Sequence, residues 1–147
     1  MDLIRSKKAG FEYEFLETYD AGIELLGTEV KSLKNKRGSL EGARVIIRGD
    51  EAYLVGANIP AYQEKNAPAG FDAQRTRKLL LTKKEIITLI GKERAAGLTI
   101  VPISMYTKGR LIKLRFAVAR GKKRYDKREK IKARETKRTI ARTLKRG

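Results

Sequence analysis

Neither cysteine nor histidine occurs among the 147 residues. The first absence excludes disulfides, thiolate nucleophiles and cysteine-bound zinc, and the second removes the commonest general base and metal ligand at neutral pH. Carboxylates, lysines and hydroxyls remain for chemistry, and no pair of them stands in a recognisable catalytic spacing. The one acidic cluster, Glu12, Glu14 and Glu17 with Asp20, lacks the ordered partners that a metal-dependent nuclease needs. No catalytic residue, metal or cofactor is therefore expected. A run of about 18 apolar residues is missing as well, and Met1 to Lys8 hold no apolar stretch long enough for a secretory signal, so the chain reads as cytoplasmic.

What is present in excess is positive charge. Lysine and arginine number 35 against 17 acidic residues, a formal +18, while the apolar share of 41% suffices for one modest core. Small domains usually carry a net charge of about 2 to 8, so +18 points to a polyanionic partner that offsets the self-repulsion. The charge is uneven. Residues 121–147 hold 13 basic against 3 acidic residues, whereas residues 1–120 hold 22 against 14. A folded body over 1–120 and a basic tail over 121–147 are expected.

Within the body, Phe11 to Tyr19 alternates, with Phe11, Tyr13 and Phe15 on one side, and predicts a half-buried strand whose hairpin partner is Ala21 to Gly27. Thr28 to Leu33 reads as a short helix with Val30 and Leu33 inward and Glu29 and Lys31 elsewhere. Ala43 to Ile47 and Ala52 to Ala57 form a hairpin about Gly49 and Asp50. Pro60 to Arg77 is a long surface loop. Thr82 with Glu85 is a capping box that starts a helix over Lys83 to Ala96, with Ile86, Ile87 and Ile90 inward and Gly97 closing it. Leu98 to Tyr106 and Leu111 to Ala119 make a last hairpin in which Ile112, Leu114, Phe116 and Val118 face in. Pro102 puts the first of these strands at an edge or a bulge. Five or six short, mostly antiparallel strands with two helices indicate a mainly β fold, either a small closed barrel or an oligonucleotide-binding-like fold, in preference to a parallel α/β sheet.

The tail has Tyr125, Ile131, Ile140 and Leu144 as its only sizeable apolar residues, too few to bury, so in isolation it should be unfolded. Those residues make a poor membrane face, and RNA is a better partner than a membrane or mere solvation. In Gly121-Lys122-Lys123-Arg124-Tyr125-Asp126-Lys127-Arg128 a tyrosine is set among cations. Its ring can stack on a base, or simply mark the junction. Two body motifs stay open in the same way. Glu29, in Gly27-Thr28-Glu29-Val30-Lys31-Ser32-Leu33, is either an acceptor from base or ribose donors or a surface carboxylate paired with a lysine. Arg75, Arg77 and Lys78 are either a phosphate clamp or a solvated lead-in to the capped helix.

Three phrases, Gly27 to Leu33, Arg75-Thr76-Arg77-Lys78-Leu79-Leu80-Leu81, and Gly121-Lys122-Lys123 followed by Asp126-Lys127-Arg128, stand in an order and spacing that resembles the small protein B family, the SsrA-binding proteins of bacterial trans-translation. The resemblance runs from about Lys7 to Arg146. It implies a closed six-stranded, oligonucleotide-binding-like barrel with short helices, and a tail that becomes helical when bound. It also implies an adaptor without catalytic activity that binds the tRNA-like domain of transfer-messenger RNA and brings it to the A site of a stalled ribosome, so that the incomplete peptide is tagged. The implied partners are that RNA, the decoding centre and messenger channel of the ribosome and, indirectly, elongation factor Tu, with no DNA or membrane. By the resemblance, Glu29 joins Lys7, Lys8, Lys31, Arg75, Arg77 and Lys78 on the RNA-binding face. Gly121, Lys122, Lys123, Tyr125, Asp126, Lys127 and Arg128 then serve the decoding centre and channel. The chain departs from the family at Ser6-Lys7-Lys8-Ala9 and Phe11, where an asparagine and a histidine are usual.

Overall fold

The structure, a computed structural model, describes residues 1–63, 65 and 67–122. Two long strands form its spine. β6 (Leu98–Lys108) turns through Gly109 and Arg110 into β7 (Leu111–Gly121), with Lys108 opposite Leu111. Gly109 has φ +62°, the left-handed conformation a two-residue hairpin turn demands. Ile112, Leu114, Phe116 and Val118 point into the core, as alternation predicts. The register shifts between Pro102 and Ser104, so Pro102 sits at a bulge inside a strand paired on both sides, not at an edge.

β7 pairs along nearly its whole length with β2 (Tyr13–Ile23). Here two expectations are corrected. Ala21 to Ile23 continue β2 instead of folding back as a hairpin partner, and Phe11 lies in α1 (Ala9–Glu12), a single turn before the strand. The early part of β2 is also not half-buried, for Phe15 and Leu16 are 37% and 41% exposed. A register shift between Phe15 and Glu17 interrupts the alternation there, and β2 gains a second neighbour only at Gly22 and Ile23, where β5 (Arg77–Leu80) pairs with it.

β5 leads to β4 (Glu51–Val55), which forms the expected hairpin with β3 (Arg44–Arg48) about Gly49, φ +59°. β1 (Asp2–Arg5) adds to β6 at the other side. The strand order among the described residues is therefore β1-β6-β7-β2-β5-β4-β3, seven strands, all antiparallel. The mainly β class stands, but the closed six-stranded barrel does not. β1 and β5, four residues each, are too short to show a period, and no ladder joins β1 to β3 among the described residues. The sheet is open, though its curl brings β3 close to β6.

α2 (Gly27–Lys34) and α3 (Lys83–Arg94) complete the body. α3 begins with the predicted capping box, in which the Glu85 N–H donates to Thr82 Oγ1 (3.2 Å) and the Thr82 N–H to Glu85 Oε1 (3.0 Å). Ile86 and Leu89 are its buried residues, while Ile87 is 70% exposed, because one helix face admits positions three apart but not their immediate neighbours. The core gathers Leu33, Leu54, Ile59, Leu79, Leu89, Ile100, Met105, Leu114 and Phe116, with Tyr19 stacked on Phe116 at 5.6 Å. Among the described residues no helix is long and apolar enough to cross a membrane. The expected boundary at residue 120 is passed by the ladder, since Gly121 still pairs with Tyr13 and the Lys122 N–H donates to the Glu12 carbonyl (2.8 Å).

Candidate nucleic-acid interface

α2 is short, so its ends decide its position. At the start, the Leu26 N–H donates to Glu29 Oε1 at 2.8 Å, the return half of a capping box. At the far end, the Lys36 N–H donates to the Leu33 carbonyl (2.8 Å) and the Arg37 N–H to the Ser32 carbonyl (2.9 Å). This Schellman arrangement places Lys36 at φ +58°, where glycine is usual.

Glu29 is fully buried, contrary to the expectation that it faces away from the core. Its carboxylate takes Arg75 Nη2 at 2.5 Å and Nε at 3.0 Å, and Arg77 Nε at 2.8 Å and Nη2 at 2.5 Å. Arg77 is fully buried too, and it spends its remaining donors on the carbonyls of Ala57 and Arg75 (both 3.0 Å), Ala73 (2.9 Å) and Ile59 (3.4 Å). No buried side-chain polar atom among the described residues lacks a partner, so the burial of these charges is fully compensated. Burial pushes the Glu29 carboxyl up. Hydrogen bonds from Arg75, the Leu26 N–H and Arg77, with the charge of Arg77, outweigh that and hold it below the ordinary 4.5. For Arg77, burial outweighs the Glu29 contact and draws the guanidinium below its ordinary value.

This network fastens the loop over residues 57–76 to α2. Ser32 Oγ donates to the Pro60 carbonyl (2.6 Å), the Tyr62 N–H to Thr28 Oγ1 (2.8 Å), and Arg37 Nη1 to the Tyr62 carbonyl (3.4 Å). The outer surface of the assembly is basic. Lys31, Lys34, Lys36 and Arg37 are exposed, Arg75 keeps 29% of its side chain accessible, and the only carboxylate in the network is turned inward and neutralised.

The structure thus brings Glu29, Lys31, Arg75 and Arg77 together but divides their roles. Lys31 and Arg75 reach solvent. Glu29 and Arg77 do not, and every acceptor direction of Glu29 is taken by protein donors. The groups expected to accept from RNA at Glu29 and to clamp phosphate at Arg77 are here bonded to one another and to the loop carbonyls. Lys78 is not part of the cluster. Alternation along β5 sends it to the opposite face, where its Nζ lies 2.8 Å from Glu51 Oε1, and the Tyr53 hydroxyl donates to the same carboxylate.

Lys7, Lys8, Gly121 and Lys122 form a second group around α1. The Lys7 N–H donates to Glu41 Oε1 (3.0 Å), and Lys122 Nζ to the Gly10 carbonyl (2.8 Å). A cleft of about 230 Å³ lies beside them, lined in part by Lys8, Glu12, Tyr13 and Arg44. Lys123, Tyr125, Asp126, Lys127 and Arg128 lie outside the described residues, as does the helix expected on binding.

Sequence reasoning missed Lys34, Lys36, Arg37 and Tyr62. The first three were visible as the basic run Lys34-Asn35-Lys36-Arg37 directly after the helix signal. Tyr62 had only a weak signal, an aromatic two residues after Pro60 in a polar loop that also holds Phe71. Among the described residues no group of acidic side chains is arranged to hold a metal.

Comparison with known proteins bears on the same regions. The family model described as SmpB protein matches residues 3–146. The chain is 49% identical over 144 residues to the SsrA-binding protein of Gloeobacter violaceus, covering 98% of this chain and 94% of the relative. It is 49% identical over 143 residues to that of Thermosipho africanus, with 97% and 95% covered, and 46% identical over 136 residues to that of Mycoplasma mycoides, with 92% of each covered. Among solved structures, a chain described as tmRNA-SmpB at the center of the bacterial ribosome superposes with a TM-score of 0.69 at 40% identity, over 86% of this chain and 92% of that one. Since the match takes in α1, α2, the docked loop, β5 and the basic residues beyond β7 alike, the chain belongs to the SmpB family of SsrA-binding proteins.

Proposed function

We propose that this chain is the transfer-messenger RNA-binding factor of trans-translation. It binds the tRNA-like domain, accompanies it into the A site of stalled ribosomes and allows the incomplete peptide to be tagged for degradation. The observation that carries this reading is the extent of the family match, residues 3–146, together with the tmRNA-SmpB chain on the ribosome that shares the fold. The surface supports it physically. A rigid platform of α2 and its docked loop presents Lys31, Lys34, Lys36, Arg37 and Arg75 to solvent, which suits a folded RNA read through its backbone and its exposed loop bases.

In this reading the protein acts by binding alone. Lys31 and Arg75 meet RNA directly, Lys7 and Lys8 contribute phosphate contacts from the α1 side, and Glu29 and Arg77 hold the platform in shape. Lys78, paired to Glu51, meets RNA only if that surface ion pair opens, a small cost for an exposed pair. The division expected between an RNA-binding body, 1–120, and a segment for the decoding centre and the messenger channel, 121–147, moves on by two residues, since Gly121 and Lys122 are tied to the body, with Tyr125, Asp126, Lys127 and Arg128 nearest the decoding centre. Elongation factor Tu enters as a partner of the RNA, and the place of action is the cytoplasm.

The test is competition. Labelled tRNA-like domain should bind saturably in the nanomolar range and resist displacement by equal-length ribosomal RNA fragments. Indifference between the two RNAs sinks the reading in favour of a static ribosomal RNA-binding protein.

A further inference from the structure

Tyr62 is exposed, 38% of its surface being accessible, yet its backbone is among the most firmly held in the loop. Its N–H is fixed to Thr28 on α2 and its carbonyl to Arg37 beyond the end of α2, while the neighbouring Pro60 carbonyl is fixed to Ser32. Beneath it, Arg77 ties the carbonyls of Ala57, Ile59 and Ala73 to one point. An exposed ring on a backbone held this way has little conformational entropy left to lose on binding. That is unusual for a residue in a long loop, and a core-packing role does not account for it.

Beside the ring lies an open depression of about 280 Å³ lined by Gly27, Thr28, Lys31, Tyr62 and Gln63. It is near the lower limit of small-molecule sites, which start at roughly 300 Å³, and suits one flat group better than a helix. Lys31, on its rim, belongs to none of the ion pairs among the described residues. An aromatic face with a free ammonium alongside is what one unpaired nucleotide requires: a surface for the base to stack on and a charge for its phosphate.

We propose that Tyr62 is a base-stacking residue, and that the depression between it and Lys31 holds one unpaired nucleotide of the RNA. The inference rests on the reading of this chain as a binder of tRNA-like RNA and names a contact within it. Stacking predicts which property of the side chain matters: the ring, not the hydroxyl and not bulk alone.

The experiment uses the full chain and the tRNA-like domain of transfer-messenger RNA, with 2-aminopurine placed in turn at its unpaired positions. Tyr62→Ala and Tyr62→Leu should each weaken binding roughly 5- to 150-fold, Tyr62→Phe should bind like wild type, and thermal unfolding should be unchanged in all three. Lys31→Ala should lower the salt slope by about 0.7 to 0.9, whereas the Tyr62 variants should leave the slope alone. One 2-aminopurine position should be quenched by wild type and by Tyr62→Phe, but not by Tyr62→Ala. Unchanged affinity of Tyr62→Ala, or a Tyr62→Phe as weak as Tyr62→Ala, overturns the assignment while leaving the functional reading intact. A wild-type protein without preference for the tRNA-like domain overturns both.

Discussion

Glu29 is spent inside the protein, where its carboxylate joins α2 to Arg75 and Arg77. A buried carboxylate shared by two arginines is stabilising only while all three remain, because removing one partner strands a charge in a low-dielectric interior, at a cost of about 3 to 5 kcal/mol. Arg77→Met should therefore destabilise the body by about that amount in urea denaturation, whereas Arg75→Met, at a partly exposed position, should cost much less. Acid should act on the same group. The folded-state pKa of Glu29 is depressed below 4.5, so between those two values the unfolded chain binds more protons than the folded one. The stabilisation is complete above 4.5 and is lost as pH falls through the folded value. Glu17 and Glu51 are depressed as well, by hydrogen bonds to Tyr19 and Lys78 first of all, so the whole-protein curve is composite. The informative quantity is the difference between wild type and Glu29→Gln: large at neutral pH, and shrinking as pH drops below 4.5, when measured by urea unfolding across the acid range.

Helices and turns differ in how far their causes lie along the chain, and that distance decides what can be read from the sequence. The α3 start is legible because Thr82 and Glu85 are three residues apart and complete the cap themselves, and Thr82→Ala should cost about 1 kcal/mol by chemical denaturation. The β6–β7 hairpin is legible because alternation and Gly109 are local. By contrast, the inward turn of Glu29 is settled by Arg75 and Arg77, 46 and 48 residues away, and nothing within α2 announces it. β5 is hidden for the same reason: Arg77 looks locally like a lead-in cation, and only the pairing of Leu79 with Ile23 and Ala52 makes that segment a strand. The end of α2 carries a conflict between folding and charge. Lys36 stands where glycine is easier by about 1 to 2 kcal/mol of backbone strain, less the entropy glycine loses on folding. Lys36→Gly should thus raise stability by up to about 1 kcal/mol and yet weaken RNA binding, with a salt slope shallower by about 0.7 to 0.9. Denaturation and salt-titrated binding on one variant report the two opposite effects. If stability rises while affinity stays unchanged, Lys36 is no phosphate contact.

At the scale of the whole molecule, charge is split evenly between the described body and the residues after it. Residues 1–122 carry half of the net +18 in over four-fifths of the length, and residues 123–147 carry the other half. The last tether among the described residues is local: β7 pairs to Gly121, and Lys122 bonds the α1 segment through both its backbone and its side chain. A truncation meant to remove the tail and spare the body should therefore fall after Lys122, not after Arg120, which would take a ladder residue and the tether to α1 with it. If the intact protein neutralises about 6 to 10 phosphates, its affinity should fall roughly 10³- to 10⁵-fold between 50 and 200 mM salt. The chain cut after Lys122 should still prefer the tRNA-like domain, because the hydrogen bonds that hold the α2 platform among the described residues join residues within 26–77. Its salt slope should be shallower, in proportion to the number of phosphates the tail neutralises in the intact protein. Peptide tagging on stalled ribosomes should be abolished, since body and tail then have separable tasks, recognition of the RNA and engagement of the ribosome. Tagging that persists at wild-type rate in the truncated chain would place both tasks in the body and leave the +9 of residues 123–147 without a role in rescue.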